Sequence, residues 1–237
     1  MQLSVKFEEM NKIILTADGS NTLYNETIGE HYHSKHGAVQ ESLHVFIDAG
    51  LKKAIQESTI PTVTILEVGF GTGLNYILSV NHCLEHDIQL NYTGIEAFPI
   101  SKEELLLTNY GNYVPAPVWE SLTDNYEQAI GHPVKLFSTQ QLEITLSTLA
   151  AFKSKLLFDV IYFDAFSVQH QPEMWTDEIL AHTCSFLKTG GIFVTYAITG
   201  NLKRALKKIG MTIEKLPGAP GKREMLRATK GSLTIIA

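Results

Sequence analysis

The sequence predicts an α/β fold with a mainly parallel sheet, helices on both faces and an antiparallel strand at the C-terminal end. The first observation is an apolar run at 63–68 that leads into three alternating glycines and then a helical pattern, which indicates a buried strand, a tight turn and a helix N-terminus. The second is that strand and helix patterns alternate along most of the chain with short connections. The third is that no helical pattern separates the last strands, which favours antiparallel pairing.

The individual elements follow from hydrophobic spacing and turn residues. Asp18-Gly19 lies between extended runs at 13–16 and 22–28, which predicts a β-hairpin near the N-terminus. Further along the chain, the patterns predict helices at 41–54, 74–86, 101–109, 119–129, 142–152, 173–187 and 200–209, and strands at 63–68, 90–95, 134–137, 159–164, 191–197, 211–215 and 231–236.

The composition is that of one large domain with a small addition. The chain has 237 residues, 44% of them hydrophobic, and we expect a β appendage over 1–36 and a main domain over 37–237. No apolar run approaches the roughly 18 residues that span a bilayer, and the N-terminus has no signal-peptide pattern. Cys83 and Cys184 lie in apolar helical patterns and are expected to be buried thiols in a reducing compartment, so a cytoplasmic protein is predicted.

Charge is distributed unevenly. The net charge is −6, but from Lys203 onward nine cations face two acids, Glu214 and Glu224. A basic C-terminal face on an acidic body predicts local contact with a polyanion. An ordinary solvated helix face with scattered lysines is the alternative.

The glycine loop indicates the class of ligand. Gly69, Gly71 and Gly73 follow Glu67 in the order Glu-x-Gly-x-Gly-x-Gly. A dinucleotide-binding loop requires a glycine where Leu74 stands, and a phosphate-binding P-loop requires a lysine after its last glycine. The pattern resembles the first motif of S-adenosylmethionine-dependent methyltransferases with a Rossmann-like sheet, whose loop passes under the methionine and ribose parts of the cofactor.

Two acids end other predicted strands. Glu96 follows Gly73 by about twenty residues, where such folds carry an acid that accepts hydrogen bonds from ribose hydroxyls; an ordinary strand-end acid is the alternative. Asp164 ends the strand at 159–164, and ligands of open α/β sheets bind at the carboxyl ends of strands. Asp164 should therefore lie near Gly71 and the transferred methyl group.

Aromatic residues follow Asp164 along the chain. Phe166 and Trp175 could stack on a planar base. For Trp175 the alternative is packing in the core.

Four blocks of sequence together resemble one family. The blocks lie at 37–46, 67–75, 164–175 and 195–226, and include Asp-Ala-Phe-Ser, Gln-Pro-Glu-Met-Trp and Gly-Lys-Arg-Glu-Met-Leu. They resemble the methyltransferase domain of the bifunctional protein that makes 5-methylaminomethyl-2-thiouridine in tRNA, a family that also has free-standing single-domain versions. The resemblance covers roughly residues 25–227.

The resemblance implies a reaction and its partners. The implied reaction is transfer of a methyl group from S-adenosylmethionine to the primary amine of 5-aminomethyluridine, 2-thiolated or not, at the wobble position of the tRNA anticodon. The chain length implies a version without the FAD-dependent oxidoreductase domain, so we expect no FAD. Methyl transfer from sulfur to nitrogen needs no metal, and without a spanning apolar run we expect no membrane partner.

Roles are assigned on these grounds. Asp164 is expected to be catalytic, by orienting the amine and taking its proton. The residues expected to bind the cofactor are Glu67, Gly69, Gly71, Gly73, Asn75, Glu96, Gln141 and Tyr32. Those expected to bind the substrate are Phe166, Trp175 and Tyr196 around the base, with Lys203, Arg204, Lys222, Arg223 and Glu224 from the C-terminal blocks, whose cations would contact phosphate.

Some features depart from the family pattern. Val168 stands where the family usually has proline, which puts the conformation of that loop in doubt. No acid follows the 134–137 strand to meet the adenine amino group, so Gln140 or Gln141 is the candidate.

Alternatives remain open at this point. His31, His33 and His36 form a His-x-His-x-x-His cluster, but no local Cys or carboxylate cluster supports a metal site. Aminopropyl transfer, methylation of another small amine, and a non-catalytic adenosyl-binding module are the other functional hypotheses.

Overall fold

A computed structural model describes residues 11–57 and 61–231. The strands are β1 (Lys12–Leu15), β2 (Asn21–Asn25), β3 (Glu30–His31), β4 (Thr62–Val68), β5 (Gln89–Glu96), β6 (Val134–Lys135), β7 (Gln140–Leu146), β8 (Phe158–Phe163), β9 (Leu187–Thr195), β10 (Met211–Pro217) and β11 (Glu224–Lys230). The helices are α1 (Ala38–Ser42), α2 (Lys52–Glu57), α3 (Leu74–Glu85), α4 (Lys102–Leu107), α5 (Ala116–Ala129), α6 (Asp177–Ser185) and α7 (Gly200–Lys208). A π-helical stretch, Leu43–Leu51, joins α1 to α2, and 3-10 turns occupy Tyr110–Asn112 and Pro172–Trp175.

The main sheet has eight strands in the order β10-β11-β9-β8-β4-β5-β7-β6. β4 lies near the centre and pairs in parallel with β5 and β8, and the parallel set continues to β7 and β9. β11 pairs antiparallel with both β9 and β10, and β6 pairs antiparallel with β7. The predicted fold class, a mainly parallel sheet with an antiparallel C-terminal strand, is therefore confirmed.

Helices cover both faces of this sheet. Side chains of one parity along the strands, such as Ile65 and Tyr162, pack with the π-helical stretch, α3 and α5. Side chains of the other parity, such as Leu66 and Phe163, pack with α6 and α7. The central strands are buried on both sides, as expected for the parallel part of an α/β sheet.

The predicted helix at 142–152 is wrong. Residues 140–146 form β7, which pairs in parallel with β5 from Leu90↔Gln140 to Glu96↔Leu146. Leu142 and Ile144 are buried while Glu143 and Thr145 are partly open, so the local period is two, as in a strand. In such a short apolar run the helical and strand periods overlap, and pairing with β5 decides between them.

The last strand also differs from the prediction. Residues 232–236 of the predicted strand at 231–236 lie outside the described residues, and the antiparallel strand is Glu224–Lys230. Met225, Leu226 and Ala228 are fully buried between β9 and β10. The sequence showed this segment only as a short basic stretch.

A separate three-stranded antiparallel sheet, β1-β2-β3, lies near the N-terminus. Gly19 has a φ of +84° in its first turn, and the Asp18 carboxylate accepts a hydrogen bond from the Ser20 amide at 2.9 Å. The hairpin prediction is confirmed for residues 12–25, while residues 3–10 lie outside the described part. Tyr32 follows β3 directly and extends toward the main sheet.

Cys83 and Cys184 are free, buried thiols, and burial raises the pKa of each to about 12. Within 11–57 and 61–231, every helix is too short or too polar to cross a lipid bilayer.

Candidate active site

The glycine loop after β4 is wedged between the ends of β5 and β8. Gly69, Gly71 and Gly73 have φ values of +84°, +51° and +70°, which glycine adopts without strain. A Cβ on Gly69 would lie 2.7 Å from the backbone oxygen of Asp164, so a side chain does not fit there. The Gly69 amide donates to the Ile95 oxygen at 3.1 Å, which fixes the loop against β5.

Glu96, at the end of β5, holds the loop by its side chain. One carboxylate oxygen accepts a hydrogen bond from the Gly71 amide and the other from the Phe98 amide, each at 3.0 Å. Glu96 is half-buried, and its open edge lines a cavity.

Asp164, at the end of β8, is half-buried and is hydrogen-bonded to a chain of buried polar groups. The Asn75 side-chain amide donates to Asp164 Oδ2 at 2.8 Å and to Glu67 Oε1 at 2.7 Å. The Tyr92 hydroxyl donates to the other oxygen of Glu67 at 2.8 Å. Glu67 and Asn75 therefore support Asp164 from inside the fold, and neither lines the cavity.

Burial changes the acidity of both carboxyl groups. It raises the pKa of Asp164 to about 7, with the Glu41 charge adding to the effect and the Asn75 hydrogen bond and the Lys222 charge opposing it. Burial and the nearby Asp164 raise the pKa of Glu67 well above its usual range. Asp164 can therefore gain or lose a proton near neutral pH.

An ion pair also lines the cavity. Lys222 Nζ lies 2.5 Å from Glu41 Oε1 and 3.8 Å from the centroid of the Tyr196 ring. Glu41, in α1, is 5% exposed, and its second oxygen accepts a hydrogen bond from the Ser34 amide at 2.9 Å.

Aromatic side chains form the wall beside Asp164. Phe166 packs edge-to-face on Tyr32 with ring centroids 5.2 Å apart, and both line the cavity. Tyr196 also lines it and donates its hydroxyl proton to the Ala165 oxygen at 2.9 Å. Trp175 packs on Phe163 and donates its indole N–H to the Phe166 oxygen at 2.8 Å.

These groups surround one cavity of about 850 Å³ at the carboxyl ends of β4, β5 and β8. This is near the upper end of the range for small-molecule sites, and so leaves room for a cofactor together with an acceptor. Its walls carry more acids than cations, namely Glu30, Glu41, Glu96, Asp164 and Glu173 against Lys35 and Lys222. The cavity suits ligands that carry positive charge.

Comparison with known proteins indicates the class of enzyme. The model of an S-adenosyl-L-methionine-dependent methyltransferase family matches residues 116–231. The crystal structure of MnmC2 from Aquifex aeolicus matches with a TM-score of 0.73 at 26% identity, over 95% of this chain and 72% of that one. These matches show the fold of S-adenosyl-L-methionine-dependent methyltransferases and support S-adenosylmethionine as the cofactor.

Among curated relatives of this methyltransferase are tRNA 5-methylaminomethyl-2-thiouridine biosynthesis bifunctional proteins MnmC. The Magnetococcus marinus protein is 31% identical over 208 residues, or 83% of this chain and 30% of that protein. The Hydrogenovibrio crunogenus protein is 28% identical over 236 residues, or 93% of this chain and 34% of that protein. The chain thus spans about a third of the length of these relatives.

The residues of the methyltransferase fit its cofactor, S-adenosylmethionine. Gly69 and Gly71 line the cavity with backbone alone, and the acidic walls compensate the charge of a sulfonium. Tyr32 contacts the loop directly, since a Cβ on Gly71 would lie 3.0 Å from its ring.

Gln141 is not near the cavity, contrary to the prediction that it meets adenine. It pairs with Asn91 near the amino end of β7, whereas Glu96 pairs with Leu146 at the carboxyl end. Five residues of strand separate the two ends by about 17 Å. Ser147–Ala150 follow β7 and line the cavity in its place. The error follows from the helix wrongly predicted at 142–152.

Trp175 does not line the cavity either. It is 9% exposed and lies in the core, as the alternative interpretation held. Its indole N–H supports the Phe166 loop from behind. Val168, where the family has proline, is exposed in the same loop.

The basic C-terminal segment divides into two groups. Three of its nine cations hold partly buried contacts: Lys222 to Glu41, Arg227 to Glu214, and Lys230 to the backbone oxygens of Cys184 and Leu187. Lys208 pairs with Asp177 and Arg204 donates to Asn201 on the surface. Lys222, paired with Glu41, lines the cavity.

The other residues expected to contact the substrate do not line the cavity. Arg204 is exposed on α7, Lys203 is half-buried on the same helix, and Arg223 is exposed in the β10–β11 turn. Glu224 begins β11 opposite Pro217 and does not line the cavity.

The three N-terminal histidines do not bring their ligand atoms together. His33 is buried, which lowers its pKa to about 4, while His36 is exposed. In the described part of the chain, the grouping with convergent ligand atoms is His82, Glu85 and His86, at the far end of α3 from the loop.

Among the cavity residues that sequence reasoning missed are Glu30, Glu41 and Phe98. Glu30 accepts a hydrogen bond from the Ser167 amide at 2.8 Å, and Phe98 is 83% exposed at the cavity rim. Phe98 stands two residues after Glu96, a position that could have marked it; for Glu30 the sequence held no comparable signal.

We expect Trp175→Phe to raise the KM for the methyl acceptor about fivefold, because the Phe166 oxygen loses a hydrogen bond worth about 1 kcal/mol. The dissociation constant for S-adenosylmethionine should not change, since Trp175 lies away from the glycine loop. Trp119→Phe is the matched control, because Trp119 packs on Gly111 in another part of the fold. Steady-state kinetics and calorimetry measure both quantities. An unchanged acceptor KM in Trp175→Phe would contradict this support role.

Proposed function

We propose that this methyltransferase transfers a methyl group from S-adenosylmethionine to the primary amine of 5-aminomethyluridine, with or without 2-thiolation, at the wobble position of tRNA. The observation that carries the proposal is Asp164: a carboxyl with a pKa of about 7, in a cavity lined by further carboxylates and by Phe166 and Tyr196. The names of the curated MnmC relatives support the choice of tRNA.

The chemistry requires a neutral amine, because an ammonium has no lone pair with which to attack. S-adenosylmethionine supplies a methyl group activated by its positive sulfur. Asp164 receives the proton of the bound ammonium and orients the amine. A pKa near 7 suits this role, since the carboxylate is then present at neutral pH yet still basic enough to hold a proton. Asn75 keeps the carboxylate in position by its bond to Oδ2.

The cofactor would bind over Gly69, Gly71 and Gly73, with its ribose hydroxyls donating to Glu96. Tyr32 would close the site from the N-terminal side. Glu67 would act through Asn75 rather than by touching the cofactor.

The wobble base would lie against Phe166 and Tyr196, since RNA bases outside a helix are commonly held on aromatic side chains. Lys203, Arg204 and Arg223 would contact phosphates. We expect tRNA affinity to fall steeply as salt concentration rises.

The test is a methylation assay with radiolabelled S-adenosylmethionine and tRNA from cells that lack the terminal methylation. We expect label in a single nucleoside, the wobble 5-methylaminomethyl(-2-thio)uridine, found by nuclease digestion and chromatography. Fully modified tRNA is the control and should accept none. Label elsewhere in the tRNA would contradict the proposal. Spermidine formation from decarboxylated cofactor and putrescine would favour aminopropyl transfer instead.

A further inference from the structure

Lys222 lines the cavity, whereas the next residue, Arg223, is also basic but is exposed. It lies in the turn between β10 and β11, where the Lys222 amide donates to the Ala219 oxygen at 2.8 Å. A Cβ on the preceding Gly221 would overlap the His36 ring, so the turn packs tightly on the segment after β3. This packing directs Lys222 to Glu41 and Tyr196, while Arg223 faces solvent.

The partner of Lys222 is fixed as firmly as Lys222 itself. Glu41 accepts the Ser34 amide on one oxygen and Lys222 on the other. The Glu41 side chain is 7% exposed and that of Lys222 is 32% exposed, so breaking the pair would leave the Glu41 charge uncompensated in a poorly solvated site.

The pair is one of several groups that face Asp164. From α1, the Glu41 charge raises the pKa of Asp164, and from the β10–β11 turn the Lys222 charge lowers it. His33 is neutral at pH 7, and the pKa of the Tyr196 hydroxyl is raised by burial, so neither contributes a charge. Glu67 reaches Asp164 through Asn75, and Glu30 and Glu96 line other parts of the cavity wall. Lys222 is the cation whose charge acts on Asp164, and Lys35 is a second cation on the cavity wall.

We propose that Lys222 and Glu41 are positioning residues of the methyl-transfer site, an opposed charge pair that sets the protonation of Asp164 for proton transfer from the acceptor amine. The Lys222 charge keeps Asp164 ionised when the ammonium arrives, and the Glu41 charge keeps it basic enough to take the proton. In that step the N–H bond of the ammonium breaks and an O–H bond forms on Asp164, which leaves the amine lone pair free. The identity of the amine rests on the proposed function. The effect of the Lys222–Glu41 pair on the protonation of Asp164 does not.

The first test is the titration of Asp164 itself, followed by carboxyl ¹³C NMR in the cofactor-free protein and assigned by its loss in Asp164→Asn. Lys222→Met should move the midpoint upward by about one pH unit, and Glu41→Gln should move it downward by a similar amount. Lys222→Arg, which keeps the charge, should leave it near the wild-type value. Arg223→Ala is the matched neighbour control and should not move it.

The second test is the pH profile of methyl transfer. The acid limb of kcat/KM should move in the same directions as the titration, up in Lys222→Met and down in Glu41→Gln. In tRNA binding, Arg223→Ala should reduce the salt dependence by roughly one phosphate contact, whereas Lys222→Met should not change it.

The proposal would be overturned if the Asp164 midpoint did not change, or if it moved in the same direction in Lys222→Met and Glu41→Gln. A purely structural disturbance would not be expected to shift the midpoint in opposite directions in the two variants. Because the titration needs no substrate, failure of the tRNA assay with opposite midpoint shifts would overturn only the proposed acceptor.

Discussion

Asp164→Asn is expected to lower the rate of methyl transfer by about 100-fold or more, the usual contribution of a positioned proton acceptor. Asparagine has nearly the same shape and can still accept the Asn75 hydrogen bond, so the cavity should keep its form. It cannot take the proton of the ammonium. Affinity for S-adenosylmethionine should remain within a few-fold, because the loop glycines and Glu96 are untouched. Single-turnover kinetics with labelled cofactor and calorimetric titration give the two quantities.

The matched control is Asp159→Asn, the same chemical change near the opposite end of β8. Asp159 accepts hydrogen bonds from the Thr64 amide and from Lys188, at 2.8 and 2.9 Å. Its replacement should lower stability while folded protein turns over normally. Full turnover in Asp164→Asn with unchanged cofactor affinity would exclude Asp164 as the proton acceptor.

Asp164→Asn should also change the pH dependence of the free energy of unfolding. The pKa of Asp164 is raised from 3.8 to about 7 on folding, so its protonated form stabilises the folded state. This contribution is complete below about pH 4 and is lost as the pH rises through about 7. Asparagine does not ionise, so the free energy of unfolding of the variant should rise relative to that of wild type between pH 4 and 8. Urea unfolding at several pH values measures this, and parallel curves would contradict it.

Gly69→Ala is expected to lower the affinity for S-adenosylmethionine about tenfold or more and to destabilise the fold. Two effects add: a side chain at a φ of +84° costs about 1–2 kcal/mol, and its Cβ would lie 2.7 Å from the Asp164 oxygen. Since that oxygen belongs to the backbone, relief requires the loop or the end of β8 to move. Calorimetry for the cofactor and thermal unfolding for stability are the measurements.

Gly131→Ala separates the two effects. Gly131 has nearly the same φ, +85°, but no atom lies within 4 Å of its added Cβ. It should therefore lose only the conformational part of the stability and bind the cofactor normally. The prediction would be contradicted if both variants lost the same stability and kept the wild-type affinity for the cofactor. The close approach of Gly69 to Asp164 would then matter for neither stability nor cofactor binding.

The β4–loop–α3 unit was predictable because its signals are local. A buried run, alternating glycines and a helical pattern lie within 63–86, and the rule that ligands bind at the carboxyl ends of strands brings Glu96 and Asp164 to the same side. The structure places both at the cavity without changing that prediction.

Residues 140–152 could not be assigned from local spacing. Their apolar residues fit a strand or a helix, and only hydrogen bonding to β5 decides for the strand. The assignment of Gln141 to adenine failed for the same reason, since the wrong element placed the wrong residues at the carboxyl end. Assigning a helical period to a strand therefore also placed a wrong residue in the candidate site.

The sequence by itself determined the α/β class, the glycine loop, the two strand-end acids and the resemblance that indicates the family, because each is a pattern within a few dozen residues. Only the tertiary structure decided which cations reach the cavity and which face solvent. Lys222 meets Glu41 across 181 residues of sequence, and its neighbour Arg223 does not. Long-range packing sets the burial of a charge, and burial, rather than residue type, distinguishes a lysine that tunes a carboxyl from an arginine available to phosphate.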